Sequence, residues 1–122
     1  MEGPPPGAVA VIAGGETTVR AVPGGCGGRS QHLALAAAVV LDGHDGVVLA
    51  AGTDGVDGPT DAAGACVDGS TVTRARACGF DVGAALAVTD SHPVLAATGD
   101  LVRTGPTGTN VADLVVALRP AC

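Results

Sequence analysis

Lysine, tryptophan and tyrosine are absent from the 122 residues, and phenylalanine occurs once, as Phe80. Without an aromatic platform on which bases can stack, most modes of single-stranded nucleic-acid recognition are excluded. Six arginines face twelve acidic residues, a formal charge of -6, and a field of that sign repels phosphate backbones. No nucleic-acid partner is expected. The missing lysine also means that any ATP-binding or Schiff-base lysine has to come from elsewhere. Long apolar runs are scarce too: none approaches the roughly 20 residues of a membrane-spanning helix. The amino terminus lacks a basic stretch followed by an apolar one, so neither secretion nor membrane insertion is expected. Cys26, Cys66, Cys78 and Cys122 include no C-x-x-C pair and no nearby His-x-x-x-His. Zinc sites and disulfide frameworks use tighter or paired spacing, so the expectation is reduced thiols in a cytoplasmic protein without a metal site.

What is present is small. Alanine, valine and leucine dominate an apolar fraction of 47%, a composition suited to helices lying close on a sheet. The length fits one domain that buries roughly 65% of the surface its unfolded chain exposes. Residues 8–13 and 16–22 flank Gly14-Gly15, a two-residue glycine turn that predicts a β-hairpin. A glycine-rich loop then feeds a helix over 30–41, in which Leu33, Ala34, Ala37, Ala38 and Leu41 recur at helical spacing before Asp42-Gly43 stops it. The apolar run 46–51 predicts a buried strand.

Behind that strand comes residues 52–65, G-T-D-G-V-D-G-P-T-D-A-A-G-A, at the strand edge where ligands of open α/β sheets sit. Thr60 or Asp61 is expected to cap a short helical turn through 62–63, ahead of a short strand at 65–67. Three short helices follow: one capped by Ser70 or Thr71 and ending at Gly79, one capped by Asp81, and one begun by Asp90 or Ser91 and ended by Gly99. A short strand at 101–103, a glycine and hydroxyl loop at 104–110 and a final strand at 111–118 complete the chain. The expected fold is α/β: a layered domain with a mixed sheet of about five strands flanked by helices, beginning with a β-hairpin.

Three loops, 24–29, 52–61 and 104–110, offer backbone amides, hydroxyls, carboxylates and one arginine. Arg29 stands at a helix start, where a guanidinium fork suits a carboxylate or phosphate, or pairs with a neighbouring aspartate. A helix N-terminus beneath a glycine loop is itself an anion seat, although the loop matches neither G-x-G-x-x-G nor a P-loop. Asp54, Asp57 and Asp61 do not follow the spacing of a calcium loop. His32 and His44 read as solvated. The nearby Asp90, Ser91 and His92 do not form a catalytic triad, which draws on separate segments, and helix capping accounts for the first two.

Five segments carry a resemblance: G-G-E-T-T-V (14–19), G-G-R-S-Q (27–31), the stretch 52–65, D-S-H (90–92) and T-G-P-T-G-T-N-V-x-D (104–113). In unbroken order they resemble the MOFRL domain, the carboxyl-terminal domain of the glycerate 2-kinase family, some members of which are labelled hydroxypyruvate reductase. The resemblance implies a truncated linker at 1–7 and a MOFRL-like domain at 8–122. It further implies one wall of a cleft, shared with a larger amino-terminal domain, in which ATP phosphorylates D-glycerate. ATP and magnesium would be bound mainly by that other domain, and the isolated chain would be inactive. Catalytic roles fall to Arg29, Asp54 and Asp61, and substrate binding to Glu16, Asp57, Thr60, Thr107, Thr109 and Asn110. The expected partners are the amino-terminal kinase domain, a small hydroxy acid and a second copy in a homodimer. The chain departs from the family at Cys26, where a basic residue is usual, and at Ser30 and His32, where Asn and an acid are usual. Losing the basic residue weakens anion attraction by the first loop. The alternatives are a stand-alone ligand-binding or oligomerisation module and a reductase.

Overall fold

The computed structural model describes residues 9–15, 25–109 and 112–120. The elements run β1 (Val9–Gly15), α1 (Arg29–Leu41), β2 (Val47–Gly52), β3 (Gly64–Asp68), α2 (Thr71–Ala77), α3 (Val82–Ala87), α4 (Ser91–Thr98), β4 (Leu101–Val102) and β5 (Asp113–Arg119). They build one five-stranded sheet in the order β1-β5-β2-β3-β4. Layers, strand number and flanking helices agree with the expectation.

The ladders do not run as a mixed sheet. Every described pair is antiparallel. The alternation of strands and helices suggested crossovers, but the turn after β2 brings β3 back along the neighbouring edge without a helix. Likewise α2, α3 and α4 return β4 beside β3 in the opposite direction. Among the described elements only α1 makes a true crossover, between β1 and β2, which run the same way with β5 inserted between them. The predicted partner strand at 16–22 lies outside the described residues; the described neighbour of β1 is β5.

One consequence of the register places the site. β2 pairs Val47 with Leu118 and ends with Gly52 opposite Asp113, so the first residue of β5 stands beside the mouth of the acidic loop. Across the other edge of β2, Ala51 pairs with Gly64. A Cβ on Gly64 would collide with the Ala50 carbonyl, so only glycine lets the chain re-enter the sheet there.

The core lies between α1 and the β2–β3 pair. Ala34, Leu35 and Ala38 of α1 are fully buried with Ala65, Val67 and Leu95. Small side chains on both surfaces let the helix approach closely, and burying Leu35 alone contributes about 1.5–3 kcal/mol. The buried face is turned slightly from the predicted one: Leu35 is innermost, while Leu33, Ala37 and Leu41 are partly buried around it. In a helix that is apolar nearly all round, periodicity does not select one stripe.

Helix ends follow the glycines, with Gly43 at φ 77° behind α1 and Gly99 in the left-handed region behind α4. The caps agree less well. Asp81 accepts a hydrogen bond from the Ala84 amide at 3.0 Å, as expected, but Ser70 and Asp90 cap nothing by side chain. Thr71 instead donates to Asp100 at 3.0 Å, and Asp90 is engaged by a distant loop. No helical turn forms at 62–63, because Thr60 Oγ1 donates to the Asp57 carbonyl and accepts from the Ala62 amide, which closes a tighter turn.

Candidate functional site

The start of α1 has no cap from its own sequence, since Gly28 is the N-cap residue. The cap comes from the acidic loop. Asp57 accepts hydrogen bonds from the backbone amides of Ser30 at 3.0 Å and Gln31 at 2.8 Å, and its residue is only 3% exposed. Opposite charge against the positive helix end strengthens both bonds. Gly28 must be glycine for this approach, because a Cβ there would occupy the place of the Asp57 carboxylate. Thr60 completes the clamp by accepting from Gln31 Nε2 at 2.9 Å. The anion seat foreseen at this helix end therefore holds the protein's own carboxylate, and both Asp57 oxygens are engaged.

Arg29, the first residue of α1, reaches across to β5. Its Nε donates to Asp113 Oδ2 at 2.6 Å and its Nη2 to Oδ1 at 3.1 Å, a bidentate pair that fixes the guanidinium plane. The Asp113 side chain is 6% exposed and the Arg29 side chain 41%. Asp54 stands close by. The position of a Cβ on Gly52 would be 3.0 Å from Asp54 Oδ1 and 3.6 Å from Asp113 Oδ1. Asp54 Oδ1 accepts from the Val56 amide at 3.0 Å, which closes a local turn.

The third loop is fastened to the second. Thr107 donates through its amide to the Asp54 carbonyl at 3.1 Å and through Oγ1 to the Thr53 carbonyl at 2.6 Å. The Thr53 hydroxyl donates to the Ala112 carbonyl at 2.8 Å. Thr109 is exposed and held only through the Thr107 hydroxyl among the described contacts. Glu16 and Asn110 lie outside the described residues.

On the other flank, Asp61 is exposed and engaged by two cations or potential cations. Arg103 Nε donates to Oδ2 at 2.9 Å, and His92 Nε2 lies 3.2 Å from Oδ1. The hydrogen bond from Arg103, seconded by that from His92, holds the Asp61 carboxyl below the usual carboxylate range. His92 is itself tied to the first glycine loop: its amide donates to the Cys26 carbonyl at 2.9 Å, while the Cys26 amide donates to Asp90 Oδ1 at 2.8 Å. The amino end of α4 thus grips loop 25–28 by the Cys26 backbone, through the Asp90 carboxylate and the His92 amide, and neither bond uses the Cys26 side chain.

The three loops singled out in the sequence do converge at one end of the sheet, around Arg29, Asp54, Asp57, Thr60, Asp61 and Thr107. Sequence reasoning missed Asp113, Asp90, His92 and Arg103. Asp113 closes the motif T-G-P-T-G-T-N-V-x-D and was the one acid in it without an assigned role; that position was the available signal. Arg103 directly follows the shortest strand and gave none. An apolar groove lined by Val9, Val11, Val40, Leu41 and Leu118 lies at the opposite end of the sheet, away from these groups. Among the described residues no group of three or more His, Cys, Asp or Glu is placed to hold a metal ion, and no helix is long and apolar enough to cross a membrane.

Comparison with known proteins adds the following. The profile described as "MOFRL family" matches residues 9–113. The D-glycerate 2-kinase of Thermotoga maritima is 54% identical over 110 residues, which cover 89% of this chain and 26% of that protein. The glycerate 2-kinase of Pyrococcus horikoshii is 45% identical over 111 residues, 90% of this chain and 25% of that one. The crystal structure of a glycerate kinase from Thermotoga maritima superposes with a TM-score of 0.87 at 51% identity, covering 90% of this chain and 27% of that chain. The chain therefore spans about a quarter of the length of the curated relatives it matches.

Proposed function

The chain belongs to the MOFRL family, and from that membership we propose that it is the carboxyl-terminal domain of a glycerate 2-kinase, forming one wall of the cleft in which ATP phosphorylates D-glycerate. A quarter-length match to relatives named for that activity supports the reading. The observation that carries it is Arg29: a guanidinium fixed in plane by the bidentate pair with Asp113, on a half-exposed side chain near Asp54 at the carboxyl end of β2. Phosphoryl transfer asks for in-line positioning and charge neutralisation rather than covalent chemistry, and a fixed fork suits the substrate carboxylate or the transferring group.

Asp57 and Thr60 act in this reading through the helix they cap. Asp54 and Asp61 line the wall in this reading, with the hydroxyls of Thr107 and Thr109 along its rim, and Glu16 and Asn110 are assigned to substrate binding from the family resemblance alone. Among the described residues no group of three or more His, Cys, Asp or Glu is placed to hold a magnesium ion. With no lysine in the chain, the nucleotide and its magnesium belong mainly to a larger amino-terminal domain, and the chain alone is inactive.

The test is a hybrid in which this chain replaces the matching quarter of the Thermotoga maritima kinase, assayed for glycerate-dependent consumption of ATP. Activity is expected from the hybrid and none from the chain alone. Arg29→Ala should lower kcat/KM roughly tenfold or more. An unchanged value refutes the role given to Arg29, and an inactive, folded hybrid refutes the kinase reading.

A further inference from the structure

We propose that His92, oriented by Asp61, accepts the proton of the attacking hydroxyl; the inference rests on the kinase reading above and names a group that the sequence left out of the site. An aspartate whose pKa is held down by Arg103 is a poor proton acceptor. Both of its oxygens are taken, one by Arg103 Nε and the other by His92 Nε2. Because the Asp61 carboxylate can only accept, the imidazole nitrogen facing it carries the proton. When neutral, the ring then has its other nitrogen, Nδ1, as an acceptor, and Nε2 is the one ring nitrogen of His92 with a hydrogen-bond partner among the described residues. An anionic aspartate that fixes one tautomer so that the far nitrogen serves as base is a known division of labour.

The placement agrees. The site of a Cβ on Gly27 would be 3.3 Å from the His92 amide, so the backbone of His92 lies against the glycine loop that leads into Arg29. In the proposal a three-carbon hydroxy acid held by its carboxylate at Arg29 presents its hydroxyl to His92. In the step itself the substrate O–H bond breaks and its proton passes to Nδ1. The oxygen bonds to the γ-phosphorus of the nucleoside triphosphate, and the bond to the bridging oxygen breaks to release the diphosphate. The charged or titratable groups brought to His92 are Asp61 and Arg103 across the loop, Asp90 on its own helix, and Cys26 opposite.

Two measurements decide the matter. In this chain, nitrogen-15 shifts of the His92 ring should report the Nε2–H tautomer, and Asp61→Asn should abolish that preference; an Nδ1–H ring overturns the proposal. In the hybrid kinase, His92→Gln keeps a donor toward Asp61 but has no basic nitrogen. It should lower kcat roughly a hundredfold with KM nearly constant, and remove the loss of rate on acidification. A folded His92→Gln hybrid within threefold of the parent, with the same pH profile, overturns the assignment and leaves the kinase reading standing. A parent hybrid without phosphoryl transfer overturns both.

Discussion

Asp57 offers the sharpest test of how the acidic loop works. If its carboxylate is a cap and not a ligand, Asp57→Ala acts on stability first. The substitution leaves two amides, of the buried residues Ser30 and Gln31, without their acceptors. Loss of a cap costs about 1 kcal/mol and an unpaired buried amide about 1–3 kcal/mol, so a total of about 2–4 kcal/mol is expected. For a chain of 122 residues the unfolding entropy is about 0.26 kcal/mol/K, which turns that loss into a fall in Tm of roughly 8–15 °C. Asp57→Asn keeps one acceptor oxygen and should lose about half as much. Asp54→Ala, which removes a single bond in an open turn, should move the melt by less than about 4 °C. Far-UV circular dichroism melts of the three variants provide the comparison. An Asp57→Ala melt within about 2 °C of the parent would refute the capping argument.

Other consequences are accessible with the same protein. Arg74 donates to Asp100, Asp68 and the Thr98 carbonyl while its side chain is 36% exposed. Arg74→Met should therefore cost about 1–2 kcal/mol in urea, less than a buried network would. The Ser70 hydroxyl and amide, with help from Arg74, hold the Asp68 carboxyl below its reference value of 3.8. Its folded pKa is the lower one, so its stabilisation is complete above the unfolded value and disappears as pH falls through the folded one. Urea midpoints should drop below about pH 4, and more gently in Asp68→Asn. Burial pushes the Cys66 thiol up, seconded by Asp100 and Asp68, whereas Cys26 and Cys78 are exposed. A disulfide reagent at mildly alkaline pH should modify Cys66 later than both, and equal rates would contradict its burial.

The elements were largely legible because this chain is punctuated by glycine and aspartate. Gly43, Gly79 and Gly99 end the three helices they were expected to end. Strand direction was not legible, because it depends on how the 53–63 turn folds back, and Thr60 decided that by bonding to Asp57 in place of starting a helix. The site was readable by residue type at Arg29 and in the acidic loop. Its partners were not, since Asp113 meets Arg29 across 84 positions and Arg103 meets Asp61 across 42. Asp57 was misjudged for a related reason: an aspartate among glycines looks the same whether it faces a ligand or the amides of a helix that begins 28 residues earlier. Asp90 was assigned to its own helix by proximity, whereas geometry gave it to Cys26.

The position of β5 also governs how this domain is made. Val9 pairs with Arg119, and β5 lies between the two earliest strands. During vectorial synthesis β1 and β2 emerge without the neighbour they share, and the pairing of widest sequence separation has to wait for β5. Such non-local closure slows folding and leaves edges exposed meanwhile. The same strand delivers Asp113 to Arg29, so the nascent polypeptide gains its finished sheet and its fixed guanidinium in one event.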